Sequence, residues 1–179
     1  MQQSPTLEDQ ALAFARQCRT LLADGRAWED HLHSTAQSLC RLAQSPRWRC
    51  SPYRSATAGE ALVYELAVDP DGGPSLYLVS DGSGVVSPPH EHQTWAIIAG
   101  IEGRERNHRY RLQSAKRRTV ARRDVIDVGP GQTLVMHALD IHSTEVVGAA
   151  SSFHLHLYGR RLDALSPFES RCYIDPGDL

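Results

Sequence analysis

Gly84-Val85-Val86-Ser87-Pro88-Pro89-His90-Glu91-His92-Gln93-Thr94-Trp95-Ala96 opens a stretch that closes on Gly103, and its reading decides the fold. Two histidines at i and i+2 in a β-rich context project from one face of a strand. Pro88 and Pro89 fix the approach, because a prolyl φ is locked and the residue before a proline is pushed extended. Neutral imidazoles that converge in this way can share one transition metal. A third ligand has to come from elsewhere, and His142 is the candidate.

Outward from this stretch the chain reads as strands. Ala61–Val68 and Ser75–Val79 are strand-like, and the turn chemistry of Asp69-Pro70-Asp71-Gly72-Gly73-Pro74 between them predicts a hairpin. Asp81-Gly82-Ser83-Gly84 is a second turn. Thr94–Ile101 is apolar and β-branched, and Glu102-Gly103 turns it into Arg104–Leu112. A basic linker leads to Asp124–Val128, followed by Gly129-Pro130-Gly131 and a strand over Gln132–Met136. Ser143–Val147 and Phe153–Tyr158 complete the set. Many short strands separated by Gly/Pro turns predict an all-β barrel or sandwich.

Two helical patterns precede the strands. Leu7, Ala11, Phe14, Cys18 and Leu21 repeat at amphipathic spacing between Thr6 and Arg26, with Asp24-Gly25 as a stop. Leu32, Ala36, Leu39 and Leu42 do the same between Trp28 and Ala43, where Ser45-Pro46 ends the pattern. The expected organisation is a single domain over residues 1–179: a helical segment (1–46) serving as a lid, a β-barrel (52–159) and a tail (160–179). Within the tail, Pro167-Phe168 and Cys172-Tyr173-Ile174 are suited to docking.

Composition narrows the function class. At 179 residues and 41 % hydrophobic content, one sizeable core is expected. Lys+Arg 19 against Asp+Glu 21 gives a net charge of −2, which offers no bulk attraction to nucleic acid or an acidic membrane. Arg104, Arg106, Arg109, Arg111, Lys116, Arg117, Arg118, Arg122 and Arg123 are clustered. Strand alternation nevertheless splits them between two faces, with little aromatic interleaving beyond Tyr110. No apolar run reaches the roughly 20 residues of a membrane span. Met1–Asp9 lacks the apolar core of a signal peptide, so a cytoplasmic protein is expected. Cys18, Cys40, Cys50 and Cys172 are scattered, which suits free thiols in a reducing compartment.

The spacing Gly84, five residues, His90-x-His92 and a closing Gly103 resembles the first motif of the cupin superfamily, with Ala96 where that motif carries a Glu. The second cupin motif is represented by His142, and Val146 stands where its Asn is usual. Keeping three His while losing the Glu resembles the thiol dioxygenase branch, the cysteine dioxygenase and 3-mercaptopropionate dioxygenase relatives. Residues 88–103 are similar to the bacterial members over their full length. The resemblance implies a double-stranded β-helix, or jelly-roll barrel, with two N-terminal helices. It also implies Fe(II) held by His90, His92 and His142, with a small thiol and O2 as substrates.

That family ends its barrel with Ser-x-His-x-Tyr, a relay in which the His orients the Tyr hydroxyl toward the metal. Here the stretch is His154-Leu155-His156-Leu157-Tyr158, so His154 replaces the Ser and His154, His156 and Tyr158 are the implied catalytic group. Alternation places these three on one face and the two leucines on the other. The Cys that crosslinks to the Tyr in animal cysteine dioxygenases is Ala96, so Tyr158 stays a free phenol. Where those enzymes hold the substrate carboxylate with an upstream Arg, Tyr64 stands here, with Arg54 ten residues earlier. A guanidinium is the natural carboxylate clamp. Arg160, Arg161 or Arg171 would supply it from the C-terminal side, as in mercaptopropionate enzymes. A 3-mercaptopropionate-like substrate is therefore favoured over cysteine. The alternatives are a three-His cupin oxygenase for a non-thiol compound, or a non-enzymatic metal-binding cupin.

Overall fold

A computed structural model of the chain describes residues 5–23 and 27–178. Helix α1 (Leu7–Leu22) begins at Thr6, whose hydroxyl accepts from the Asp9 N–H while the Asp9 carboxylate accepts from the Thr6 N–H. This capping box satisfies two donors that a helix start otherwise leaves unpaired. The stop expected at Asp24-Gly25 lies outside the described residues. The second helical stretch starts as a 3-10 turn over Trp28–His31 and becomes α2 at Leu32–Ala43.

Nine strands follow among the described residues: β1 (Ala61–Ala67), β2 (Ser75–Asp81), β3 (His90–Glu91), β4 (Ala96–Glu102), β5 (Glu105–Ser114), β6 (Thr119–Val128), β7 (Thr133–Met136), β8 (Ile141–Val146) and β9 (Ser152–Tyr158). They form two antiparallel sheets, β1-β2-β9-β4-β7 and β3-β8-β5-β6, the two halves of the expected jelly-roll barrel.

The basic linker expected after Leu112 is mostly strand. β5 and β6 form one long hairpin whose turn covers only 115–118. Charge does not interrupt these strands because it is paired across them. Arg106 donates to Asp127 at 2.9 Å and Arg109 to Asp124 at 2.6 Å, each directly opposite in register.

β9 shows how two faces are filled. All seven of its residues are buried. Leu155 and Leu157 face outward into a cluster with Leu76, Leu78 and Ile97 of the sheet and Phe14, Ala36 and Leu39 of the two helices. Each such leucine contributes about 1.5–3 kcal/mol. His154, His156 and Tyr158 point the other way, into a barrel interior lined by Tyr77, Ile98, Val128, Leu134 and Met136. The helices thus cover the outside of the five-stranded sheet, not the barrel mouth.

The segment after Tyr158 docks at the residues expected to do so, and more tightly than a tail. Tyr173 N–H donates to Pro89 O at 2.7 Å, Ile174 N–H to Arg118 O at 2.8 Å, and Val120 N–H to Ile174 O at 2.9 Å. These bonds strap it across the four-stranded sheet beside His90. Gly84 (φ +82°) and Gly103 (φ +69°), the two ends of the opening stretch, both occupy left-handed backbone. At Gly103 a Cβ would also meet Ser151 O at 2.6 Å, so only glycine fits. Among the described residues no helix is long and apolar enough to cross a membrane. All four cysteines are free thiols.

Candidate metal centre

The three histidines meet inside the barrel. His90 sits on the short strand β3, directly opposite His142 on β8. His92 follows, and the chain then turns through Gln93 with φ at +57°. They are 8, 3 and 1 % exposed, for His90, His92 and His142 respectively. One ligand nitrogen from each lies within 4.8 Å of the others. Two nitrogens bound at right angles to one ion, each about 2.1 Å from it, stand about 3.0 Å apart. The His92 and His142 Nε2 atoms are 3.1 Å apart, so this pair fits adjacent positions on a single metal.

Hydrogen bonds set which nitrogens are free. His90 Nδ1 lies 2.9 Å from Pro88 O. His142 Nδ1 lies 2.8 Å from Asn107 Oδ1, and the Asn107 amide donates to Glu105 Oε1 at 2.9 Å. Carbonyl oxygens only accept, so both histidines carry their proton on Nδ1 and present a lone pair on Nε2. His92 Nδ1 is buried without a hydrogen-bond partner. Burial lowers the pKa of His90, and of His92 and His142 well below the ordinary range, which keeps the imidazoles neutral and able to ligate. The donor set, three buried neutral imidazoles with two Nε2 atoms at ligand spacing, fits a transition metal.

Tyr158 adjoins this centre. Its ring packs edge-on against His92 at 5.1 Å and against Tyr77 at 5.8 Å. Its hydroxyl lies 3.1 Å from His156 Nδ1. Burial pushes the phenol up, so it keeps its proton, and pushes His156 down to about 4. His154 shares their inward face but turns away: its Nε2 lies 3.0 Å from Val128 O, and its ring centre is 6.4 Å from that of His156.

Of Tyr64, Arg54, Arg160, Arg161 and Arg171, only Arg171 comes to the centre; Arg160 is exposed. Arg171 is buried, donates from Nε to Ser166 O at 3.0 Å and from Nη1 to Glu91 O at 2.9 Å, and lies over the Phe168 ring. Phe168 in turn packs edge-on against His90 at 5.0 Å. The positive charge of Arg171 helps depress His90 and His92. Arg161 is engaged with Asp163 near the surface. Tyr64 packs against Tyr53 and the outer cluster under the helices, with its hydroxyl donating to Arg54 O, so it stands outside the barrel interior. Arg54 is taken up by Glu60. Glu91 holds the strap, accepting from the Tyr173 hydroxyl at 2.7 Å.

Glu105, Asn107 and Tyr77 adjoin these groups and are absent from the sequence expectation, whereas Phe168, expected to dock, does so against His90. A signal exists for the first two: Glu105-x-Asn107 places two polar side chains on the face of β5 that turns inward. The surrounding arginines hide that alternation.

No family model matches the chain, and no curated protein matches it. Among solved structures it is similar to a cupin superfamily protein from Desulfitobacterium hafniense (17 % identity, 60 % of this chain and 84 % of that one, TM-score 0.45). It is similar to a conserved protein with a double-stranded β-helix domain from Klebsiella pneumoniae (12 %, 60 % and 79 %, 0.48). A third is an oxalate oxidase in complex with the substrate analogue glycolate (19 %, 62 % and 56 %, 0.46), of which the chain spans little more than half.

Proposed function

We propose that this protein is a non-haem iron(II) dioxygenase that oxidises a small carboxylate-bearing thiol, of the 3-mercaptopropionate kind, to its sulfinate. The observation that carries the reading is the buried assembly of three lone-pair-bearing imidazoles, a protonated tyrosine and an arginine within one barrel mouth. Overall the reaction is RSH + O2 → RSO2H: sulfur is oxidised, dioxygen is reduced, and both oxygen atoms end on sulfur. Iron held by His90, His92 and His142 would supply the Lewis acid for the sulfur and the redox chemistry for dioxygen.

The chain's own residues do the rest. Arg171 offers a planar cation to the substrate carboxylate, and its bonds to Ser166 O and Glu91 O fix its position in advance. Tyr158 holds a proton at its hydroxyl beside His92, where it can exchange hydrogen bonds with the sulfur or its oxygen acceptor. His156 Nδ1 fixes the direction of that hydroxyl. Phe168 packs edge-on against His90 at the mouth.

The test is anaerobic loading with Fe(II), followed by oxygen uptake with 3-mercaptopropionate, cysteine, cysteamine and mercaptosuccinate. Incorporation of two labelled oxygens from 18O2 into 3-mercaptopropionate is the expected result. An iron-replete protein that consumes no oxygen with any of the four overturns the proposal.

A further inference from the structure

Glu105 is 1 % exposed, on the inward face of β5, and its carboxylate has one oxygen with a partner and one without. Oε1 accepts from the Asn107 amide, which fixes the Asn107 carbonyl against His142 Nδ1. Oε2 is buried with no hydrogen-bond partner. It faces His156 Nε2, equally buried and equally unpartnered, at 3.8 Å. A buried carboxylate oxygen and a buried ring nitrogen left unpaired are each costly. A shift of roughly 1 Å brings them to hydrogen-bond distance. Each is the complementary group that the other lacks.

We propose that Glu105 is a positioning residue for both halves of the centre, setting the tautomer of the ligand His142 through Asn107 and of the relay His156 directly. This rests on the metal-centre reading but not on the identity of the substrate. A carboxylate facing His156 Nε2 requires a proton there. Nδ1 then carries a lone pair, so the Tyr158 O–H, 3.1 Å away, must be the donor. The oxygen lone pairs of Tyr158 are thereby left toward the centre, ready to accept a proton from an incoming acidic group while the Tyr158 proton passes to His156. The order carboxylate, imidazole, hydroxyl follows the logic of a nucleophile–base–orienter triad. Glu105, from the opposite sheet, takes the orienting place that His154 leaves by turning to Val128 O.

The test needs no metal. Two-bond 1H–15N correlation spectra of the 15N-histidine-labelled apo protein give the tautomer of each imidazole, with His156→Phe and His142→Phe assigning the resonances. The expected result is Nδ1–H for His142 and Nε2–H for His156. In Glu105→Gln an N–H must replace one of the two acceptor oxygens, so at least one of the two histidines should shift tautomer. In Tyr158→Phe, His156 should remain Nε2–H, because the carboxylate and not the phenol sets it. His156 as Nδ1–H in the parent, or both tautomers unchanged in Glu105→Gln, overturns the proposal. Should Glu105→Gln not fold, the parent and Tyr158→Phe spectra decide it alone. If the iron-loaded protein oxidises no thiol, the dioxygenase reading fails while these spectra still report on Glu105.

Discussion

Asp81→Asn probes the electrostatics of the barrel interior without reference to substrate. Asp81 ends β2, is 9 % exposed and pairs in register with Ser152. Burial, then the charge of Glu105, raises its carboxyl from 3.8 to about 6. A folded pKa above the unfolded one means stability that is fully present below pH 3.8 and lost as pH rises through 6. Two units at 1.36 kcal/mol each amount to about 3 kcal/mol lost at neutral pH. Asparagine keeps the shape of the protonated acid and cannot ionise. The metal-free variant should therefore be more stable than the parent by about 2–3 kcal/mol at pH 7.5 and about equal to it at pH 4. His156 works the other way: its pKa is lowered from 6.5 to about 4, so stability is lost as pH falls through that window, again by about 3 kcal/mol. In the parent the two slopes oppose each other between pH 4 and 6.5. In Asp81→Asn the histidine slope stands exposed, and His90, His92 and His142 add to it with the same sign. Urea unfolding from pH 4 to 7.5 reads this directly. An equal effect at both ends of the range, or a variant less stable at pH 7.5 than at pH 4, refutes the burial argument.

Removing the His142 ring in His142→Ala should weaken cobalt(II) or iron(II) binding by at least roughly 100-fold in calorimetric titration; parent-like affinity would take His142 out of the ligand set. Arg171→Gln should raise KM for 3-mercaptopropionate by roughly 100-fold, the equivalent of about 3 kcal/mol for a lost buried ion pair. Cysteamine, which has no carboxylate, should be nearly unaffected, and equal rises for both thiols would mean that Arg171 only anchors the strap. Gly159→Ala places a Cβ 2.5 Å from both Thr94 Oγ1 and Trp95 Nε1. It should destabilise the fold by about 1–3 kcal/mol, and an unchanged urea midpoint would disprove that close packing.

The parts of the site that lie close together in sequence were legible. His90-x-His92 and His156-x-Tyr158 carry their geometry in the period-two alternation of a strand. The helical stripe Leu32, Ala36, Leu39 declared a buried face, and the leucines of β9 declared the surface it covers. What was not legible depends on register between distant strands. Nothing local says that Asn107 will stand opposite Thr144, one step from His142, or that Glu105 will reach across to His156. The docking of Cys172-Tyr173-Ile174 was legible, but its backbone partners, Pro89 and Arg118, leave no mark in hydrophobic patterning. The basic stretch misled because charge reads as loop, and only the pairing of β5 with β6 shows that Asp124 and Asp127 balance Arg109 and Arg106.

The two sheets of the barrel divide these side chains between them. His90, His92 and His142 belong to the four-stranded sheet and its entry, while Tyr158 and His156 belong to the five-stranded one. Facing sheets pack about 10 Å apart, so a side chain on one can govern a group on the other only if it is long enough to cross the core. Glu105 spans the gap, with one oxygen accepting from Asn107 on its own sheet and the other facing His156 opposite. A displacement of either sheet therefore disturbs both hydrogen-bond chains together. Metal binding and the direction of the Tyr158 hydroxyl should therefore be coupled in this protein.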